Sequence, residues 1–254
     1  MRKILFTVAI LAFPFVVFSQ RKGVAPKEAI EDSKIFAYGA TTNTNSGLLG
    51  GFVLRHSNLI NIREGKTIHR YVALELVNIK HPKENTLSPN IGNRVVLGKK
   101  NYLFVVRPEY GREWFLFSKN NDEGIGLSAI LAAGPTIGIE KPYYIRYQSP
   151  NQDQPETVPF NPDIHTNLNS ILGAGSIWQG FLKGAKVVPG VHAKTALNLD
   201  MNTFGDSVTG FEFGFTFDYF LRSPEIIANQ LAENKPFYAS AYVTLYFGNK
   251  RINK

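Results

Sequence analysis

The chain has 254 residues, 44% of them hydrophobic and 19% charged, and its 28 Lys and Arg against 20 Asp and Glu give a formal charge of +8. It has no cysteine, which excludes disulfide staples and lipidation at a cysteine. The basic residues are scattered, as "KHPK" at 80–83, "GKK" at 98–100 and "NKRINK" at 249–254, with no helical basic stripe. That pattern belongs to solvated loops or to contact with anionic lipid phosphates, and not to nucleic-acid binding.

The N-terminus reads "MRKILFTVAILAFPFVVFSQ". Arg2 and Lys3 precede an apolar run from Ile4 to Phe18, and Val17-Phe18-Ser19 matches a small-x-small cleavage site. Residues 1–19 are therefore expected to be a signal peptide, with Gln20 opening a mature chain of 235 residues and charge +6. No later segment approaches the roughly 18 consecutive apolar residues of a spanning helix. An exported protein with this composition is periplasmic, secreted, or a barrel of the outer membrane. Residues 20–33 read as a polar, Pro-containing leader.

From Lys34 onward, period-two alternation predicts strand after strand. "KIFAYGATT" and "GLLGGFVLR" flank the turn formers "NTNS", and "IHRYVALEL" follows. "NYLFVVRPEYGREWFLFSK" is expected to form two strands around a Tyr110-Gly111-Arg112 turn. "GIGLSAILAAGPTIGIEKPYYIRY" predicts one strand kinked at Gly134-Pro135, or two shorter ones. "VHAKTALNLD", "TGFEFGFTFDYF" and "PFYASAYVTLYFG" alternate most clearly. The long connections are 81–98, 147–185 and 222–236. Within the second, Leu168, Ile171, Leu172, Gly175, Trp178 and Leu182 recur at helical spacing, predicting an amphipathic helix over 166–184 capped by Thr166 or Asn167.

A sandwich core and a membrane barrel both use such strands. Three features favour the barrel. The polar faces of the last strands carry Tyr, Ser, Thr and Gly instead of Lys and Glu, as a crowded interior requires. Aromatic residues gather near strand ends, as interfacial girdles do, and the last strand ends in an aromatic, Phe247, close to the C-terminus. The expected fold is all-β: an antiparallel up-and-down transmembrane barrel over 34–248, with a short tail at 249–254. The segmentation gives nine strands, but closure with both ends on one side needs an even number. Eight is preferred over ten, because a narrow barrel suits small inward residues. Phe211, Phe213, Phe215, Phe217, Tyr219, Val243, Leu245 and Phe247 are then expected to face lipid. His192, Lys194, Glu212, Asp218 and Tyr242 are expected in the lumen, with Arg70 also pointing inward. Those charges line a polar pore or, in so narrow a barrel, plug it as ion pairs.

The stretches "TTNTNSGLLGGFVLR", "LELVNIKHPKE", "GKKNYLFVVRPEYGREWFLF", "AILAAGPTIGIEKPYYI" and "YVTLYFGNK" resemble a group of small outer-membrane β-barrel proteins of Bacteroidota. The resemblance spans nearly all of the mature chain. It implies the outer-membrane location and the fold, and associates the chain with accessory subunits of outer-membrane assembly or export machinery.

Little points to catalysis. The five histidines form no H-x-x-x-H or H-E-x-x-H pattern, so no metal site is expected. A lipid-deacylating barrel needs Ser, His and an acid at one rim. Ser46, His81, Glu84, Asp163, His165 and Ser170 are the connection residues of that chemistry, without a G-x-S-x-G. "GAGSIWQG" lacks the spacing of a phosphate loop, and no cofactor is expected. "KHPKEN" and "RPEYGREW", with Lys83, Tyr110, Arg112 and Trp114, and Trp178 in the long connection, suit protein contact. The expected function is that of a non-enzymatic accessory barrel, whose partners are outer-membrane lipid and another outer-membrane protein or assembly complex. A passive pore, a lipid-modifying enzyme and a soluble sandwich are the alternatives.

Overall fold

The computed structural model describes residues 32–63, 66–84, 86–87, 95–117, 125–149, 154–165, 167–180, 184–201 and 207–253. The expected signal peptide and most of the leader lie outside these residues. Eight long strands carry the period-two alternation: β1 (Asp32–Asn43), β2 (Gly47–Arg63), β3 (Lys66–Ile79), β6 (Asn101–Phe117), β7 (Gly126–Pro142), β11 (Lys186–Asp200), β12 (Ser207–Phe220) and β13 (Phe237–Asn253). Five short ones sit in the connections: β4 (Thr86–Leu87), β5 (Val95–Val96), β8 (Tyr144–Tyr147), β9 (Glu156–Pro159) and β10 (Ile171–Ala174). The long strands close into an antiparallel barrel in the order β1-β13-β12-β11-β7-β6-β3-β2, which settles the count at eight.

The register fixes the barrel's shape. Followed from partner to partner, the row Arg251, Lys34, Asn58, Arg70, Arg112, Leu131, Thr195, Phe215, Ala241 returns to β13 at residue 241, a shear of 10 residues. With ~3.3 Å per residue and ~4.8 Å between strands, that shear tilts eight strands by about 40° to the axis. The up-and-down path places the start of β1, the end of β13 and the strand ends Arg63, Lys66, Phe117, Gly126, Asp200 and Ser207 at one end, and the described residues of 44–46, 80–100, 143–185 and 221–236 at the other.

Several expectations are corrected. Tyr110-Gly111-Arg112 is not a turn: β6 is continuous through it, which reduces nine segments to eight. Gly111 is there for close approach, since a Cβ on it would lie 2.1 Å from the Leu131 carbonyl oxygen and 2.6 Å from the Ala132 Cα. Gly134-Pro135 does not divide β7 either. The β6–β7 ladder passes from Val106↔Ile137 to Tyr110↔Ala133, skipping the stretch where Pro108 and Pro135 lack N–H donors, and it keeps the same register on both sides. The barrel begins at Asp32, and β13 runs to Asn253, past the residue 248 where the sequence pattern ends it.

The expected helix over 166–184 is absent among the described residues. Leu168–Ser170 form one 3₁₀ turn and Ile171–Ala174 a strand against Tyr144–Tyr147, while Thr166 and Leu182 lie outside the described residues. Gly180 and Gly184 hold φ of 77° and 88°, left-handed conformations that end regular structure, and Ile171 and Gly173 alternate inward as in a strand.

These connections form a crown at the end away from the termini. β9, β8 and β10 make a three-stranded sheet, β4 and β5 a ribbon, and Val95, Tyr143, Ile145 and Ile171 form their own buried core. The segment 221–236 folds over the barrel mouth. Its Ile226, Ile227 and Ala232 complete a buried cluster with inward Val77, Ile79, Leu103, Val105, Val188, Phe220 and Tyr238. Asn234 ties the segment down: its Oδ1 accepts from the N–H groups of Ile226 and Ile227 at 3.0 and 3.1 Å, and its Nδ2 donates to the Ile227 carbonyl at 2.7 Å.

Candidate functional site: a sealed lumen and an apolar wall

Alternation along β12 separates two environments across one backbone. Phe211, Phe213, Phe215, Phe217 and Tyr219 point outward and are exposed, Phe215 at 55%, whereas Glu212, Thr216 and Asp218 are buried inside. β13 repeats this with Val243, Leu245 and Phe247 outside and Tyr238, Tyr242 and Tyr246 inside. β3 does so with Val72, Leu74 and Leu76 outside and Tyr71, Ala73 and Glu75 inside. The polarity of a water-soluble protein is inverted.

The lumen is filled by one ionic network. Arg55 reaches Glu212 at 3.1 Å and Glu113 at 3.2 Å, with its guanidinium 4.4 Å from the centre of the Tyr246 ring. Glu113 also accepts from Ser57 and Ser128, each at 2.7 Å, and from Asn198 at 3.2 Å. Tyr242 donates to Glu212 at 2.6 Å. Lys194 Nζ lies 2.9 Å from Glu109 and 3.4 Å from Glu212, and Glu109 lies 3.6 Å from His192. The Lys194–Glu109 contact is an ion pair off the hydrogen-bonding line, since neither Glu109 oxygen has an aligned donor. Thr136 joins His192 at 3.2 Å to Asp218 at 3.4 Å, and Arg107 bridges Asp218 and Glu75. Five carboxyls (Glu75, Glu109, Glu113, Glu212, Asp218) thus stand among three cations (Arg55, Arg107, Lys194), all buried. Of the residues read as luminal, His192, Lys194, Glu212, Asp218 and Tyr242 meet in this network. Arg70 does not, being exposed on the outer side of β3 with its Nε donating to Asn58 at 3.1 Å.

The candidate rim chemistry does not assemble. His81 lies 3.2 Å from the Glu233 carbonyl, and its own backbone N–H donates to Glu84. Glu84 is taken by Lys99 Nζ at 2.8 Å on both oxygens, and burial presses Lys99 below the ordinary lysine range while Glu84 opposes that shift. His165 accepts from the Asn161 N–H at 2.9 Å, and burial lowers its pKa. Asp163 accepts from Gln230, Ser46 is buried at the β1–β2 turn, and Ser170 ends the 3₁₀ turn.

The expected contact residues separate into two places. Lys83 and Trp178 are exposed in the crown, Trp178 at 79%. Tyr110, Arg112 and Trp114 occupy successive outward positions of β6, within the wall. The signal that sequence reading missed was the inward partners Arg55, Arg107, Glu75, Glu109 and Glu113. They share the luminal parity of their strands, but only the register brings them together.

No family model and no curated protein matches the chain. Among solved structures it is similar to the attachment invasion locus protein Ail of Yersinia pestis, solved in complex with the heparin analogue sucrose octasulfate. The identity is 9%, with 87% of this chain and 100% of that chain covered and a TM-score of 0.35. It is also similar to Neisserial surface protein A, at 8% identity, covering 86% of this chain and 94% of that chain, with a TM-score of 0.35.

Proposed function

We propose that the protein is an integral outer-membrane β-barrel working as a non-enzymatic accessory subunit, a plugged anchor that presents its crown to another outer-membrane protein or assembly component. The observation that carries this reading is the inverted polarity of the wall. A closed barrel leaves no unpaired strand edge, and rows of exposed Phe, Leu and Val are stable only where lipid covers them. The outer strands are long enough to cross: β13 spans 17 residues, against about 9–11 needed for a tilted strand.

The filled lumen favours an anchor over a pore. Its ion pairs link β2, β3 and β6 to β12 across the lumen, and the segment 221–236 covers one mouth. Arg63 and Lys66, with two residues between them, pair at the end where β1 begins and β13 ends, and the short strands β4, β5, β8, β9 and β10 stand at the other. By the usual asymmetry of such barrels, the crown faces outward from the cell. It has its own core and an exposed tryptophan, as a docking surface requires.

The test is extraction of the tagged protein from its own outer membrane in mild detergent, followed by native sizing and mass spectrometry. Stoichiometric recovery of a second outer-membrane protein, lost on Trp178→Ala, supports the reading. A lone species at the mass of one barrel contradicts the accessory role.

A further inference from the structure

The acidic side chains of the barrel strands keep to one face, while cations stand on both. Among the described side chains, Glu75, Glu109, Glu113, Glu140, Asp200, Glu212 and Asp218 all lie on the inward parity. The outward charges are all positive: Lys34, Arg70, Arg112 and Arg251, with Lys141 also outward but buried beneath the crown near the Tyr102 and Tyr144 rings. These four outward cations, Arg112 half-buried and the others exposed, are not scattered. Arg251 faces Lys34, Lys34 faces Asn58, Asn58 faces Arg70, and Arg70 faces Arg112, each as direct cross-strand partners. Continued round the barrel, the same row carries Leu131, Thr195, Phe215 and Ala241, with no charge.

Two arginines directly opposite one another repel, and the repulsion grows where lipid replaces water. Among the described residues neither Arg70 nor Arg112 pairs with a carboxylate. Arg70 has only the Asn58 side chain, and Arg112 has the Tyr110 hydroxyl at 3.3 Å and the same ring at 5.6 Å. The strand tilt lifts Arg112 about 12 Å above Arg251 toward the crown, so Arg70 and Arg112 form the end of the row nearest the apolar part of the wall. Val72, Tyr110 and Trp114 flank it on the same outer face. An anion with two acceptor edges and an apolar tail satisfies both parts at once.

We propose that Arg70 and Arg112, steadied by Asn58 and Tyr110, clamp the phosphate of an anionic phospholipid against the outer wall, its acyl chains lying along the apolar rows beside them. Two guanidinium forks match a phosphate's oxygens better than they match a single charge. This inference rests on the membrane-barrel reading, and it places the clamp toward the terminal end of the wall.

The experiment uses the full mature protein, wild type and R70Q/R112Q, floated on phosphatidylcholine vesicles and then exchanged into detergent for native mass spectrometry. Phosphatidylglycerol, phosphatidylcholine and inorganic phosphate are each added at equal concentration. Wild type is expected to retain phosphatidylglycerol over phosphatidylcholine by about tenfold, from two arginines near a headgroup. The double variant is expected to lose that preference, R70K/R112K to keep part of it, and inorganic phosphate not to displace the lipid. Equal retention of the two lipids by wild type overturns the clamp, as does an undiminished preference in R70Q/R112Q. Competition by inorganic phosphate overturns it as a lipid site. Failure of wild type to float overturns the membrane reading itself, a different result from loss of selectivity.

Discussion

Arg107 and Asp218, 111 residues apart in the chain, meet inside the barrel as a two-pronged pair, with Nη2 2.6 Å from Oδ2 and Nε 2.9 Å from Oδ1. Arg107 Nη1 also donates to Glu75 at 2.9 Å, so one guanidinium ties β6 to β3 beside it and to β12 across the lumen. Replacing Asp218 by Ala leaves a buried guanidinium with half its partners. The expected loss is about 3–5 kcal/mol, read as a shift in the urea midpoint of the vesicle-inserted protein. A loss below about 1 kcal/mol, the range of exposed pairs, would show that water reaches this site.

On the outer wall the cost of a charge depends on its depth. Phe215→Arg places a charge on the exposed face of β12. It is expected to cost about 2–4 kcal/mol if it meets mid-bilayer, whereas Phe237→Arg, at the first residue of β13, costs less because it lies nearer an interface. Equal, small costs at both sites would mean that neither meets lipid.

Asn234 closes the segment over the mouth with its three hydrogen bonds to Ile226 and Ile227. Asn234→Ala is expected to raise amide exchange at Ile226 and Ile227 by one to two orders of magnitude, from the loss of about 1–3 kcal/mol, while the barrel strands keep their protection. Unchanged exchange there would show that apolar burial alone holds the segment.

The same segment carries a pH dependence. The Lys100 hydrogen bond, opposed by partial burial, holds the Glu225 carboxyl below the ordinary glutamate range. A depressed carboxylate contributes order that is complete above its unperturbed pKa, about 4.3, and is lost as pH falls through its lower folded value. Exchange of the 221–236 amides, corrected for the intrinsic pH dependence of amide exchange, is therefore expected to be flat from neutral pH down to that range and to rise below it. Salt should blunt the effect, because both side chains are partly exposed. A rise that begins near pH 6 would point to another group.

Strand faces were legible from local alternation alone. Phe211 to Tyr219 announce one outer face without any knowledge of neighbours, and the eight strands follow once β6 is read as continuous. Gly111 was misread because a glycine in a strand signals a turn and a close approach equally well, and only the position of Ala132 distinguishes them. Arg70 shares the parity of Val72, Leu74 and Leu76, so its outward position was written in β3. Its charge argued the other way, and that conflict marks the row of outward cations. The apolar spacing around Ile171 and Trp178 fits a helix, but the left-handed Gly180 and Gly184 and the edge offered by Tyr144–Tyr147 outweigh it. Which acid meets which base was not legible, because pairs such as Arg55 with Glu212, 157 residues apart, depend on the register of every strand between them.

The central claim is that one face of each barrel strand meets lipid and the other a sealed interior. The chain has no cysteine, so single cysteines at successive positions from 209 to 220 carry a spin label without background. The measurement is the collision rate of each label with oxygen, which concentrates in lipid, and with a water-soluble nickel chelate. The account predicts high oxygen and low nickel accessibility at 211, 213, 215, 217 and 219, and low accessibility to both at 212, 214, 216 and 218. Nickel accessibility at the odd positions equal to that of exposed crown residues would contradict it, because the rings would then face water.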